Sequence, residues 1–406
     1  NLLLCLAYDP EIGGEAMLAA HRAWADRHER PEEPAFDYAL DPDRQLTVGI
    51  ASPDLWSHSV ACFVEPFFEQ HDRDRYRLVC YADVDRPDET TERLRTQVDA
   101  WRAVAPLDDD ALYDRIRSDR VDILIDLAGH TSDNRLLLFG RRAAPVQVSW
   151  LGYGATTGLS QIDYRIVDGV TDPEGTTEAF NTERLLRLSG GFMCYKPPLD
   201  APSPTETRGG RPLTFGSFNN LAKVSDDVIA LWSRILTALP DGRLMLKSRQ
   251  LADPGVRARV EESFWKEGIT ADRLELRGRV ASRAEHLATY AEVDVALDTF
   301  PYNGATTTCE ALWMGVPVVS LSGRLHVSRV ARSLLHQCGL DDWVAETPDQ
   351  YVSLAHAVAA NLPDRRILRE WVAESELVDG EAFARSMEEA LRAVWREHCA
   401  GQSDGE

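Results

Sequence analysis

Residues 302–315 read YNGATTTCEALWMG, and the order of residue types in this stretch decides the fold. The run before it, VDVALDTF at 293–300, is short, apolar and rich in β-branched residues, which predicts a buried strand. The pattern TTCEALWM is helical and stops at Gly315, and Pro317 opens the next apolar strand, PVVSLS. The unit is therefore strand, loop, helix, strand, with its loop at the carboxyl end of the first strand. In open α/β sheets that is where ligands bind. Gly304 lets the backbone approach a ligand closely, and Thr306 and Thr307 add hydroxyls to the free amides of a first helical turn. Such an N-terminus attracts anions, phosphate above all. The competing reading is that these threonines only cap a helix.

Outward from this unit the same alternation recurs on both sides. LTVGIASPD (46–54), YRLVCYA (76–82), VDILIDLAG (121–129) and PVQVSWLG (145–152) read as strands, interleaved with helical patterns such as ALYDRIRSD (111–119). The segment YKPPLDAPSPTETRGGRP (195–212) interrupts them with Pro, Gly and Ser, the composition of a linker. A second series follows with LTFGSF, VIALWSRILTAL, RLMLKS, RLELRG, VDVALD and PVVSLS. Strands alternating with helices imply βαβ units and parallel sheets. The expected organisation is a helical linker segment over 1–42, a Rossmann-like domain over 43–195 and a linker over 196–212. A second Rossmann-like domain covers 213–375, and a helix and tail cover 376–406. The two domains are expected to face one cleft. In the first segment, the helix around EAMLAAHRAWADRHERP carries an apolar stripe of Met17, Ala20 and Trp24 that must pack on a neighbour. No repeat of solenoid length is visible.

Composition narrows the function. A formal charge of −22 over 406 residues repels the phosphate backbone of nucleic acids and an anionic membrane surface alike. No apolar run approaches a membrane span, and no signal-peptide pattern opens the chain. The seven cysteines are scattered without CxxC spacing, which fits a reducing cytoplasm better than a zinc site or a disulfide framework. A start at Asn1 suggests a fragment or a processed product.

Polar residues cluster at predicted strand ends. GSFNNLAK (216–223) places Lys223 after a Gly/Asn-rich turn, where an ammonium and the Thr306/Thr307 helix terminus could clamp a diphosphate. His286, in SRAEHLATY, could flank a base or sugar, and Glu310 could accept hydrogen bonds from ribose hydroxyls. In the first domain, ASPDLWSHSV (51–60) presents His58 as a general base, with Asp54 as a competing base or a helix cap. AGHTSDN puts His130 and Thr131 at another strand end, and WLGYGATTG supplies a further loop with Gly152 and Tyr153. The Asp83–x–Asp85 spacing is that of a divalent-metal motif in single-sheet sugar transferases, but here it reads as a solvated acidic loop.

Together SPDLWSHSV, DLAGHT, APVQVSWLGYGATTG, DYRIVD, FGSFNNLAK and LDTFPYNGATTTCEALWMGVPVV resemble the O-GlcNAc transferase/SPINDLY family of glycosyltransferases, in consistent order over nearly the whole chain. The resemblance implies a GT-B fold, a nucleotide-sugar donor, a protein or peptide acceptor, inversion at the anomeric carbon, and no cofactor or required metal. It further implies tetratricopeptide repeats N-terminal to residues 1–42 in a parent protein. His58 matches the proposed base, and Lys223 the lysine on the diphosphate. Asn220 matches a glutamine at the nucleotide in animal members. Arg283 and His286 fall in the uridine-binding stretch, Ala305, Thr306 and Thr307 in the phosphate-binding turn, and Glu310 at the ribose position. His130, Thr131, Gly152 and Tyr153 lie on the acceptor side.

Three residues depart from the animal pattern: Ala305 stands for a His, Gly154 for a Pro and Glu310 for an Asp. Glu310 and the NNLAK stretch are shared with plant SPINDLY-like members. The leading expectation is transfer of N-acetylglucosamine from UDP to Ser or Thr hydroxyls. The alternatives are fucosyl transfer from GDP, a sugar-nucleotide epimerase, and a scaffold that binds nucleotide sugars without turnover.

Overall fold

The structure is a computed structural model that describes residues 2–32, 34–205 and 210–403. Residues 206–209, inside the predicted linker, lie outside the described residues. The chain forms two compact units, each built on one parallel sheet. The first holds the chain up to Ala7, Glu11–Lys196, and the chain from Asp379 onward; the second holds Tyr8–Pro10 and Pro197–Val378.

The first sheet contains β1 (Leu46–Ser52), β2 (Tyr76–Ala82), β3 (Ala100–Ala103), β4 (Ile123–Asp126), β5 (Val146–Ser149), β6 (Tyr164–Asp168) and β7 (Arg184–Leu188). Its order is β3-β2-β1-β4-β5-β6-β7. The second contains β8 (Thr214–Ser217), β9 (Arg243–Lys247), β10 (Leu274–Arg277), β11 (Val295–Leu297), β12 (Val318–Leu321) and β13 (Val344–Ala345), in the order β10-β9-β8-β11-β12-β13. Every residue of β4, β5, β8 and β12 is buried, because helices cover both faces of a parallel sheet and leave no solvent side for alternation. β3, β6, β7 and β13 are not among the strands read from the sequence. β6 is buried throughout, but its run YRIVD carries Arg165 and an Asp at its end. β3, β7 and β13 are edge strands with one neighbour, short or half-exposed, and lack the continuous apolar run of the others.

In both sheets the strand order reverses between the first and fourth strands, β1 and β4 in one, β8 and β11 in the other. At such a switch point the two flanking crossovers run to opposite faces and leave a crevice at the carboxyl ends. Four of the loops singled out from sequence follow these four strands, while the Gly152/Tyr153 loop follows β5 and the Arg283/His286 stretch follows β10. In the second unit the helix Asp226–Thr237 seats Val228, Leu231, Trp232 and Ile235 in the core, and the Ser225 hydroxyl caps its Val228 amide.

Both chain ends join the first unit. The helix Gly14–His28 is part of the first unit, with Met17, Leu18, His21 and Ala25 buried. Of the expected stripe, Met17 is buried while Ala20 and Trp24 are half-buried, so the packed face is turned toward Leu18, His21 and Ala25. A Cβ on Gly158 would stand 2.5 Å from the His21 carbonyl, which is how closely that loop meets the helix. The final helix, Gly380–Ser403, also belongs to the first unit and packs on the helix Ala61–Gln70. Its Trp395 indole donates to the Asp41 carbonyl at 3.1 Å, Arg392 donates to the Pro42 carbonyl at 2.8 Å, and Tyr76 donates to the Glu388 carbonyl at 2.7 Å. These ends are amphipathic, and a sequence pattern shows that a face must be buried but not against which sheet.

Candidate functional site

At the switch point of the second sheet, β11 ends at Leu297 and the loop 298–305 leads into the helix Thr306–Trp313. Asp298 organises that loop. It is 2% exposed and accepts from the Gly304 amide at 2.7 Å and the Ser320 hydroxyl at 2.8 Å. Burial pushes its carboxyl up to about 6, against the pull of these bonds and of Lys223. Gly304 is required here by packing: a Cβ would lie 2.4 Å from Thr307 Oγ1 and 2.8 Å from Asn219 Oδ1. Thr307 donates to Asn219 Oδ1 at 3.0 Å, and Thr308 donates to the Gly304 carbonyl at 3.0 Å.

No side chain caps the helix Thr306–Trp313. The capping reading of these threonines therefore does not hold, and among the described residues no side chain accepts from the first-turn amides. Lys223 comes from the loop after β8. Its ammonium donates to the Asn303 carbonyl at 2.7 Å and lies 4.3 Å from the centroid of the Tyr302 ring. Desolvation lowers its pKa to about 8, with the charge of Asp298 acting in the opposite direction. Tyr302 in turn packs at 5.1 Å on the ring of Tyr8. A half-buried lysine bonded to the carbonyl of Asn303, three residues before an uncapped helix N-terminus, puts a positive charge near amides that carry positive potential of their own. The natural occupant of such a site is a di-anionic phosphate group.

A second group of residues lies beside this one. His286 Nε2 is 2.9 Å from Glu310 Oε2, and His286 Nδ1 accepts from the ammonium of Lys247, at the end of β9. Phe218 and Tyr290 flank the imidazole edge-on, at 5.7 and 5.9 Å between centroids. Arg283 opens the helix Arg283–Ala288 and is half-buried. Asn220 is exposed, and its Oδ1 accepts from the Ala222 amide and from Gln250 at 2.7 Å. The structure thus brings Lys223, Gly304, Ala305, Thr306 and Thr307 together, and His286 with Glu310. Asp298, Asn219 and Lys247 were missed from the sequence. Asp298 and Lys247 carry a detectable signal, a charged residue closing an otherwise apolar strand.

In the first unit, His58 sits in the loop between β1 and the helix Ala61–Gln70, half-exposed, with the Trp56 ring stacked on it at 5.7 Å. His58 Nδ1 accepts from the Val60 amide at 3.3 Å and lies 3.5 Å from Asp54 Oδ1. Desolvation raises the pKa of Asp54. While the Val60 amide holds Nδ1, the neutral ring carries its proton on Nε2. A turn toward Asp54 would move that proton to Nδ1 and free Nε2 to accept one.

After β4, Asp126 repeats the role of Asp298. Its carboxylate accepts from the Ala128 and Gly129 amides at 3.1 and 2.7 Å, and burial pushes its pKa up to about 6. His130, 6% exposed, donates from Nε2 to the Thr157 carbonyl at 2.7 Å, and desolvation lowers its pKa to about 4. Tyr153 donates to His21 Nε2 at 2.6 Å, and Thr131 Oγ1 donates to the Ala128 carbonyl at 2.9 Å. A Cβ on Gly152 would fall 1.9 Å from the Leu127 carbonyl. These four residues tie the loops to one another and to the N-terminal helix, with His130 and Tyr153 facing inward. Asp83 of the acidic loop is held by Arg135 at 2.6 Å, which accounts for it without a metal.

The family model for glycosyl transferase family 41 matches residues 26–194 and 210–387. A Petunia hybrida protein named probable UDP-N-acetylglucosamine–peptide N-acetylglucosaminyltransferase SPINDLY is 40% identical over 415 residues, covering 99% of this chain and 44% of its own length. The Arabidopsis thaliana SEC protein, named for the same activity, is 29% identical over 375 residues, 88% of this chain and 38% of its own. The chain therefore spans less than half the length of these curated relatives. A solved structure of a lysine-to-methionine mutant of the Thermobaculum terrenum O-GlcNAc transferase superposes with a TM-score of 0.94 at 39% identity, covering 99% of this chain and 78% of that one. The lipopolysaccharide outer core galactosyltransferase WaaB, at 13% identity and a TM-score of 0.55, shares the fold, covering 86% of this chain and 100% of its own. The architecture is that of the GT-B glycosyltransferases.

Proposed function

Because this chain belongs to glycosyltransferase family 41, we propose that it transfers N-acetylglucosamine from UDP-N-acetylglucosamine to Ser or Thr hydroxyls of peptides and proteins, with inversion and without a metal. The observation that carries the proposal is the pairing of Lys223 with the uncapped helix at Thr306, held by Asp298 and Gly304. In this reading the acceptor oxygen attacks the anomeric carbon, the bond to the diphosphate breaks, and UDP departs with the bonding pair. Lys223 and the amides of the first helical turn stabilise the charge that develops on the leaving oxygens. The acceptor proton goes to His58 or to a donor phosphate oxygen.

Glu310 and His286 take the ribose and base in the same reading. The names of the relatives specify UDP-N-acetylglucosamine, which supports that donor over GDP-fucose. A desolvated lysine argues against a scaffold, which has no need for a strained cation. A cytoplasmic setting, and upstream tetratricopeptide repeats that select protein acceptors, belong to the same proposal. The test is calorimetry with UDP and GDP, and turnover of UDP-N-acetylglucosamine with a Ser/Thr peptide in the presence of a chelator. Tighter UDP binding and unchanged turnover are expected. Preference for GDP would replace the donor, and loss of turnover on chelation would overturn the metal-free reading.

A further inference from the structure

Lys247 poses a physical problem. It is the last residue of β9 and is 5% exposed, and burial lowers its pKa. Moving an ammonium out of water costs several kcal/mol, and a methionine would fill the same slot without that penalty. Its ammonium makes no ion pair within 4 Å among the described residues. It donates to His286 Nδ1 and lies 5.4 Å from the centroid of the Phe218 ring. Glu310 contributes an opposite charge at longer range.

The hydrogen-bond chemistry of this arrangement has one solution. An ammonium has only donors, so His286 Nδ1 must present its lone pair. The ring proton is then on Nε2, where it donates to Glu310 Oε2 at 2.9 Å. The chain Lys247, His286, Glu310 spans three elements: β9, the helix Arg283–Ala288 and the helix Thr306–Trp313. It fixes one tautomer and one ring plane, and leaves the other Glu310 oxygen, Oε1, without a partner among the described residues.

We propose that Lys247 is a positioning residue of the donor site, acting through His286 so that the imidazole can meet the base of a nucleoside diphosphate while Glu310 accepts from its ribose hydroxyls. This rests on the donor reading of the preceding subsection. With Lys247 removed, Nδ1 loses its donor and the ring can take either tautomer; in the Nδ1–H form the Nε2 lone pair faces the Glu310 carboxylate and repels it.

Two measurements test this. Nitrogen NMR of the unliganded protein should show His286 in the Nε2–H form, and the Lys247→Met variant should show both tautomers. Titration of UDP should give about tenfold weaker binding in Lys247→Met, as expected for losing a hydrogen bond to a charged group. In turnover the donor KM should rise with kcat kept, and Lys247→Arg should restore binding because a guanidinium is also donor-only. An unchanged tautomer, or a Met variant with parental affinity, would overturn the proposal. So would failure of both variants alike with matching losses of melting temperature, which would make Lys247 a packing residue. If the parent protein binds neither UDP nor GDP, the donor reading itself is lost. In that outcome the nitrogen spectrum still decides whether Lys247 sets the ring.

Discussion

Replacing Lys223 with methionine separates catalysis from stability in one variant, because the two effects carry opposite signs. The site moves this lysine from its ordinary 10.5 to about 8. A displacement of that size disfavours the ammonium by at most about 3.4 kcal/mol. For a base with a depressed folded-state pKa, this penalty on folding is fully present below pH 8 and fades as pH rises toward 10.5. Methionine removes it at pH 7 and retains the volume and the contact with Tyr302, so the melting temperature should hold or rise. The transfer step loses a charge aimed at the departing diphosphate, worth about 2.7–4 kcal/mol by analogy with oxyanion donors. That corresponds to about a 10²–10³ drop in kcat.

The assay is UDP release from UDP-N-acetylglucosamine with a saturating Ser/Thr peptide, run beside a thermal melt. A diphosphate that re-protonates Lys223 also makes donor affinity pH-dependent. In the parent protein it should fall about tenfold per unit above pH 8, and in the methionine variant it should stay level. Near-normal turnover would refute the clamp. A drop in turnover matched by a large fall in melting temperature would show that Lys223 supports the loop and does not act on the donor.

Gly304→Ala should weaken donor binding by about tenfold or more, since the new methyl displaces Thr307 from Asn219 and a hydrogen bond of about 1 kcal/mol and the turn's shape are lost together; a parental UDP affinity would show that the turn adapts. Asp126→Ala leaves the Ala128 and Gly129 amides without their acceptor and should lower stability by about 2–4 kcal/mol in urea denaturation, with a loss under about 0.5 kcal/mol indicating that water replaces the carboxylate. His58→Phe should cut kcat by about 10²–10⁴ with donor affinity kept if the ring is the base, whereas a loss below about tenfold would assign the proton to a donor phosphate oxygen.

Much of this arrangement was legible before any coordinates. The turn at Gly304, the threonines after it and Lys223 lie within two short motifs, each a few residues from a strand end. Local chain geometry alone places such residues at the carboxyl edge of a parallel sheet. The alternation of apolar runs with helical patterns likewise determined two Rossmann-like sheets, because strands buried on both faces must be continuous in hydrophobicity. β3, β7 and β13 escaped because they are short or half-exposed and carry no continuous apolar run, and β6 because Arg165 breaks its run.

Tertiary structure decided what the polar residues do. Whether Thr306 caps its helix depends on which donors lie near it in space, and Thr307 is committed to Asn219, 88 residues earlier. His130 reads as a loop histidine available to a ligand, yet it is buried against Thr157 and the ring of Trp24 on the N-terminal helix, 4.5 Å away. That helix reads as an entry segment whose apolar face must pack somewhere, and it completes the first unit through Met17, Leu18, His21 and Ala25. The periodicity of a sequence reports how much of a helix is buried. Which partner buries it, and which tautomer a histidine adopts once buried, are set by groups that only folding brings within hydrogen-bond reach, as Lys247 and Glu310 are for His286.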